Sequence, residues 1–252
     1  MVTEKAEVTS LGLLSPIFRP AGDTALVVQF GETVDPVVNR RVRQLANVLD
    51  TFRIEGIVDL VPTMRSLMIH RDPLVLSHRV LVGHVQSLID KAVDFDQTAR
   101  RWHIPVCYQG QCAPDLEHVA RCLEMRTDEV VQRHHETEME VFMMGFLPGF
   151  PYLGLLPEEF DLPRRPEPRI KVPPRSISVA ARQTTVYTIE SPGGWHLIGR
   201  TPVEFYDPKR SDPILVKAGD RIRFEPVPIT EYRALRQAVK AGTYSFKKEI
   251  IL

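Results

Sequence analysis

The alternation of apolar and polar positions divides the chain into short β-type runs and a few helical stretches. Residues 24–30 (TALVVQF) are apolar and β-branched, stop at Gly31 and predict a strand. Asp35 followed by Pro36 is a helix start, after which Val38, Val42, Leu45, Leu49 and Phe52 recur at helical spacing. Gly56 ends that helix, and two apolar runs, 57–61 and 66–70, predict strands separated by Pro62. Ser77 caps a second helix with Val80, Leu81, His84, Val85, Leu88 and Ile89 along one face. With a further strand at 101–107 (RWHIPVC), the order is β-α-β-β-α-β, that of a ferredoxin-like split unit with two helices on one face of an antiparallel sheet.

Farther along, Pro114-Asp115 and Thr127-Asp128-Glu129 open two short helices. From Phe142 onward the pattern becomes short β-rich runs (177–181, 185–189, 196–198, 203–206, 214–216 and 221–224) separated by proline and glycine, which predicts a closed or nearly closed antiparallel barrel. Thr230 caps a terminal helix, ITEYRALRQAVKAG, that stops near Gly242. The fold class is therefore α+β, with an N-terminal ferredoxin-like domain over 1–97 and a β-barrel domain with a C-terminal helix over 98–252.

Composition sharpens the division. Fourteen of the 21 prolines lie between Pro148 and Pro228, and only seven precede them. Proline fixes loop φ and cannot donate to a ladder, so these residues belong to rim loops and edges of the barrel. Lys+Arg and Asp+Glu are both 32, which removes the basic excess of a nucleic-acid or anionic-membrane binder. No apolar run approaches the length of a membrane span, and MVTEKAEVTSLGLLSP lacks a long apolar stretch after its charges, so a cytoplasmic location is expected. Cys107, Cys112 and Cys122 form no C-x-x-C pair, so no zinc site or disulfide framework is expected and no metal is assigned.

Candidate chemistry concentrates in the second domain. P-loop, nucleophile-elbow, H-E-x-x-H and dinucleotide signatures are all missing. Residues 145–157 (GFLPGFPYLGLLP) make a stiff loop whose backbone N–H groups can approach a ligand beside aromatic walls; a barrel-closing corner with an aromatic plug would need the same residues. In SPGGWHLIGRTP (191–202), Gly193-Gly194 can present amides to an oxyanion and Arg200 can fork onto a carboxylate or phosphate, while Trp195 can equally be a core anchor. His134 and Glu138 stand four apart on a predicted helix, either as an acid–base pair or as a half-buried structural pair. Arg164, Arg165 and Arg169, set between prolines, form either a solvated loop or a clamp for an anionic substrate.

Taken together, H-x-x-x-E, GFLPGFPYLGLLP, LPRRPEPRIKVP, QT-x-VY and SPGGWHLIGRTP, with GDTALVVQFG, DPVVNRRV and VPTMRSL nearer the N-terminus, resemble the family of the 5-oxoprolinase B subunit, also known as allophanate hydrolase subunit 1, carboxyltransferase subdomains C and D, or KipI-type proteins. The resemblance covers about residues 20–228. It implies a cyclophilin-like β-barrel for the C-terminal domain. It also implies a non-autonomous part of a hydrolase that uses ATP as co-substrate to open 5-oxoproline to glutamate. The implied partners are a C subunit (allophanate hydrolase subunit 2 or KipA-like) and a LamB/YcsF-like A subunit. The residues that match the family's motifs are His134 and Glu138; Gly145, Phe146, Pro148, Gly149, Phe150 and Tyr152; Arg164, Arg165 and Arg169; Gln183 and Thr184; and Gly193, Gly194, Trp195, Arg200 and Thr201. His134, Glu138 and Arg200 are the candidates for catalysis and the others for substrate binding.

Arg175, Ala181 and Thr185 stand where the family carries glycine, Gln109 replaces another glycine, and Met139 replaces a tyrosine. A side chain at a position chosen for positive φ or close ligand approach is costly or changes what fits. Two alternatives stay open: a carboxyltransferase-type component of a urea- or allophanate-related enzyme, and a KipI-type inhibitor of a sensor histidine kinase.

Overall fold

A computed structural model describes residues 15–91 and 98–251. Residues 1–14, read above for a targeting segment, and residues 92–97, next to the expected domain boundary, lie outside the described residues. The chain divides into two compact units, Met1–Gln97 and Thr98–Leu252.

The first unit contains β1 (Ile17–Ala21), β2 (Ala25–Gln29), α1 (Pro36–Phe52), β3 (Ile57–Pro62), β4 (Ser66–Arg71) and α2 (His78–Ile89). Its antiparallel sheet has the order β1-β2-β4-β3. Asp35 caps α1 as expected, accepting from Val37 N at 2.7 Å and Val38 N at 3.1 Å, and Ser77 accepts from Val80 N at 3.3 Å to cap α2. Leu26 and Val28 from β2 and Leu67 and Ile69 from β4 bury one face of the sheet against Val42, Leu45 and Leu49 of α1 and Leu81 and Val85 of α2. The expected strand order needs one correction. The 101–107 strand belongs to the second unit, and the extra strand is β1, whose IFRPA lacks alternation and carries Pro20. An edge strand tolerates such a sequence because one side of its ladder is unpaired.

The second unit begins with β5 (Ala99–Val106), α3 (Leu116–Cys122), α4 (Thr127–Glu136), β6 (Met139–Met144), β7 (Pro151–Gly154), β8 (Arg169–Val172) and β9 (Ser176–Ala180). It continues with β10 (Gln183–Val186), β11 (Ser191–Gly193), β12 (His196–Arg200), β13 (Arg221–Pro226), α5 (Ile229–Lys240) and β14 (Lys247–Ile251). Eight strands form one sheet in the order β12-β9-β10-β7-β6-β13-β5-β14, and β8 and β11 form a separate ribbon. Just beyond β5, Cys107 exchanges both backbone hydrogen bonds with Arg200 at the end of β12, each 2.9 Å. Strands at opposite ends of a seven-strand run thus meet, so the sheet curls back on itself.

The curled sheet departs from the expected all-antiparallel barrel where β13 runs parallel to β5. The strands expected at 203–206 and 214–216 reduce to a single bridge, Tyr206 to Ile214, in a segment broken by Pro202, Pro208 and Pro213, none of which can donate to a ladder. Helix α5 starts at Ile229 behind Pro228 rather than under a Thr230 cap.

Period-2 alternation gives the sheet two different faces. On one, Leu153, Val186, Ile177, Val179 and Ile198 join Leu116 and Val119 of α3 and Val130 of α4 in the main core. The other face carries a cross-strand row, Leu197, Ser178, Thr185 and Tyr152, which lies under a second cluster of Phe150, Val172 and Tyr187.

Two of the glycine replacements stand at left-handed positions, Arg175 at φ 67° and Ala181 at φ 47°. The Arg175 side chain donates to Glu204 at 3.1 Å, and Glu204 also pairs with Arg236 of α5 at 2.6 Å, so the strained turn is tied to the terminal helix. Replacing Arg175 by alanine removes the tie and keeps the strain, whereas glycine removes both. Chemical denaturation is expected to find Arg175→Gly more stable than Arg175→Ala by about 1 kcal/mol.

Candidate functional site

The ribbon brings three distant segments together. In it Ser191 faces Val172 and Gly193 faces Arg169, and beyond it Arg165 N donates to Gly194 O at 2.7 Å. Gly193 is required because a Cβ there would lie 2.1 Å from the Tyr187 hydroxyl. Tyr187 packs edge-on against Phe150 at 5.2 Å, Phe150 lies 5.1 Å from Tyr152 and 5.3 Å from Phe146, and Tyr152 lies 6.1 Å from Trp195. The Arg164 guanidinium sits over the Trp195 ring, 5.8 Å from its centroid. Phe146, at φ 67°, is 62 % exposed at the rim of this aromatic cluster. The turn behind it closes through Gly145 N to Phe150 O at 3.1 Å and needs Gly149, whose φ is 70° and whose missing Cβ would stand 3.1 Å from Phe205 O.

Asp115 holds the arrangement from below. It is 4 % exposed and accepts from Arg169 Nη2 at 2.6 Å, Arg165 Nη1 at 3.3 Å and Leu197 N at 2.7 Å. Burial alone would raise its pKa, but the hydrogen bonds from Arg169 and the Leu197 amide, with both guanidinium charges, hold it below the ordinary carboxylate value. Asp115 makes no side-chain cap on α3, the role its sequence position suggests. Two of the three clamp arginines are thereby committed to the protein itself. Exposed Arg164 makes no ion pair among the described residues and stands over the Trp195 ring. Arg169 Nη1, Ser178 Oγ, Thr188 Oγ1 and Ser191 Oγ are buried without a hydrogen-bond partner among the described residues.

The remaining candidates lie elsewhere. His134 is 0 % exposed in the main core, bonded through Nδ1 to Tyr108 Oη at 2.8 Å and through Nε2 to Thr184 Oγ1 at 3.2 Å, and stacked 5.0 Å from Phe224. Burial drives its pKa down to about 3 and keeps it neutral. The expected pairing with Glu138 does not form, because α4 ends at Glu136 and Glu138 turns to Arg101 and Arg221, the latter at 3.0 Å. Gln183 sits opposite Ala180 in the β9–β10 hairpin, and Thr201 accepts from Val203 N at 3.2 Å. Arg200, five residues beyond Trp195 and so about 16 Å along the strand, donates Nε to Pro174 O at 3.1 Å. Linear reading missed Asp115 as the anchor and Ser178 and Ser191 as buried hydroxyls. A Pro-Asp pair reads as a cap, and nothing local ties it to arginines 50 and 54 residues away. Among the described residues no three His, Cys, Asp or Glu side chains are placed to hold a metal ion.

Known proteins share this sequence and fold. The family described as carboxyltransferase domain, subdomain C and D, matches residues 16–216. The chain is 34 % identical over 227 residues to the B subunit of 5-oxoprolinase from Bacillus subtilis strain 168, covering 86 % of this chain and 95 % of that protein. The solved structure of TTHA0988 is 35 % identical with a TM-score of 0.72, over 84 % of this chain and 40 % of its own. The K. lactis urea amidolyase, 18 % identical with a TM-score of 0.79 over 99 % of this chain and 17 % of its own, shares the fold.

The electrostatics can be tested at two residues. Asp115→Ala strands two partly buried guanidiniums and the Leu197 amide, and urea denaturation at pH 7 is expected to show a loss of about 3–5 kcal/mol. The lowered pKa of His134 means the unfolded chain binds its proton first as pH falls below about 6.5, so stability drops from there down toward the folded value of about 3. Between pH 6.5 and 5, His134→Gln is expected to flatten the stability slope by about one proton, read from urea midpoints at each pH.

Proposed function

The chain belongs to the carboxyltransferase domain family, subdomain C and D, and from that premise we propose that it is the B subunit of a heteromeric, ATP-dependent 5-oxoprolinase. The identity to a 5-oxoprolinase B subunit over 95 % of that protein's length carries this reading. The site is compatible with it: a small ring with one carboxylate suits an aromatic wall of Tyr152, Phe150 and Trp195 beside a single unpaired cation, Arg164. Gly193 brings the backbone against Tyr187, which packs on Phe150 of that wall, and Gly194 directly precedes Trp195, so amides there can stabilise negative charge developing on the lactam oxygen. Asp115 holds Arg165 and Arg169, and Arg164 is the residue immediately before the first of them.

An unstrained lactam resists water because its amide is resonance-stabilised. Transfer of a phosphoryl group from ATP to the lactam oxygen, with ADP released, activates the carbonyl carbon. Water adds there, the ring C–N bond breaks as nitrogen takes a proton, and a second water hydrolyses the acyl phosphate to glutamate and phosphate. A C subunit and a LamB/YcsF-like A subunit complete the site in this proposal. The test is to purify the chain with those two proteins and follow ADP release that depends on 5-oxoproline. Glutamate formation by the complex and none by the chain alone are expected, with Arg164→Ala raising KM for 5-oxoproline about tenfold or more. A complex that leaves 5-oxoproline intact and instead consumes urea-type amides, or a chain that acts only by inhibiting a sensor kinase, would overturn the proposal.

A further inference from the structure

A cavity of about 460 Å³ opens between the turn Gly110–Cys112 and α5, with Gln109, Gln111, Cys112, Arg200, Tyr232 and Arg233 in its wall. Two of its lining residues are arginines and none is acidic. The other three cavities described each include carboxylates: Asp50, Glu55 and Asp59 in one, Asp128 in the next, Glu204 and Asp207 in the last. Among the described residues neither Arg200 nor Arg233 makes an ion pair, and Arg200 spends only Nε, on Pro174 O. Gln109 accepts Ile229 N–H through Oε1 at 3.1 Å, and its NH2 is the end left to donate. Burial pushes the Cys112 thiol up to about 11, with Cys107 beside it acting the same way and the Arg200 and Arg233 charges acting against both. The thiol therefore adds no negative charge at neutral pH, and both guanidiniums are near enough to be felt at one wall.

We infer that this cavity binds a phosphate group, carried by a phosphate ester or a polyphosphate. Two uncompensated guanidiniums match a dianion, and each planar fork can engage two oxygens of one phosphate. A monocarboxylate would leave one of the two cations uncompensated. The inference does not depend on the lactam reaction, since Arg164 and Trp195 take no part in it.

Calorimetric titration of the full chain at fixed ionic strength, with pyrophosphate, inorganic phosphate and acetate as probes, tests this. One pyrophosphate per chain is expected, with phosphate weaker and acetate silent. Arg233→Gln, on an exposed helix position, is expected to weaken pyrophosphate at least tenfold, while Arg79→Gln, which removes an equal charge from the first unit, leaves it unchanged. No pyrophosphate heat, equal binding by Arg233→Gln, or acetate binding as tightly as pyrophosphate would each sink the assignment.

Discussion

A carboxylate taken out of water must be met by enough donors to replace its hydration, and at Asp115 three N–H groups do so from two directions. The Leu197 amide ties it to β12, while Arg165 and Arg169 tie it to the segment leading into β8. That one group therefore fixes the proline-rich 163–169 stretch against the curled sheet. Once Arg165 and Arg169 are held, Gly194 meets Arg165 N, the ribbon pairs in register, and Trp195 comes under Arg164. The unpaired, exposed arginine adjoins two that are partly buried and spent on Asp115.

The same constraint explains why the candidate site sits on the outer face of the sheet. Inward-pointing side chains of β7, β9, β10 and β12 are mostly apolar and pack on α3 and α4, with Thr184 spent on His134 and His196 stacked on His118. The opposite positions are Leu197, Ser178, Thr185 and Tyr152, a mixed row that a two-stranded ribbon covers only in part. Buried hydroxyls without partners are costly in a finished core, and Ser178 on the outer row of the sheet and Ser191 in the ribbon are two of them.

His134 shows the opposite case. An imidazole bonded on both sides by Tyr108 and Thr184 and stacked on Phe224 satisfies every polar atom it buries, so it joins α4, β10 and β13 as a neutral post. Its spacing to Glu138 looked catalytic only on the assumption that the helix continued, and the helix stops two residues short. Glu138 instead meets arginines from β5 and β13 at the sheet surface.

Local chemistry settled much by itself. Asp35 and Ser77 as caps, the apolar stripes of α1 and α2, the short strands after Phe142 and the glycine at 193 all follow from interactions within a few residues, and the motif strings carried the family. Tertiary structure decided what depends on contacts between segments far apart in the chain. It moved the 101–107 strand into the second unit, made its pairing with β13 parallel, and turned a helix-capping aspartate into the anchor of two arginines 50 and 54 residues farther on. It also separated Arg200 from the aromatic cluster and set it beside Arg233. Residue type and spacing report the local backbone, but which donor meets a buried carboxylate is fixed only when the sheet has curled and desolvation forces every charge to find its partner.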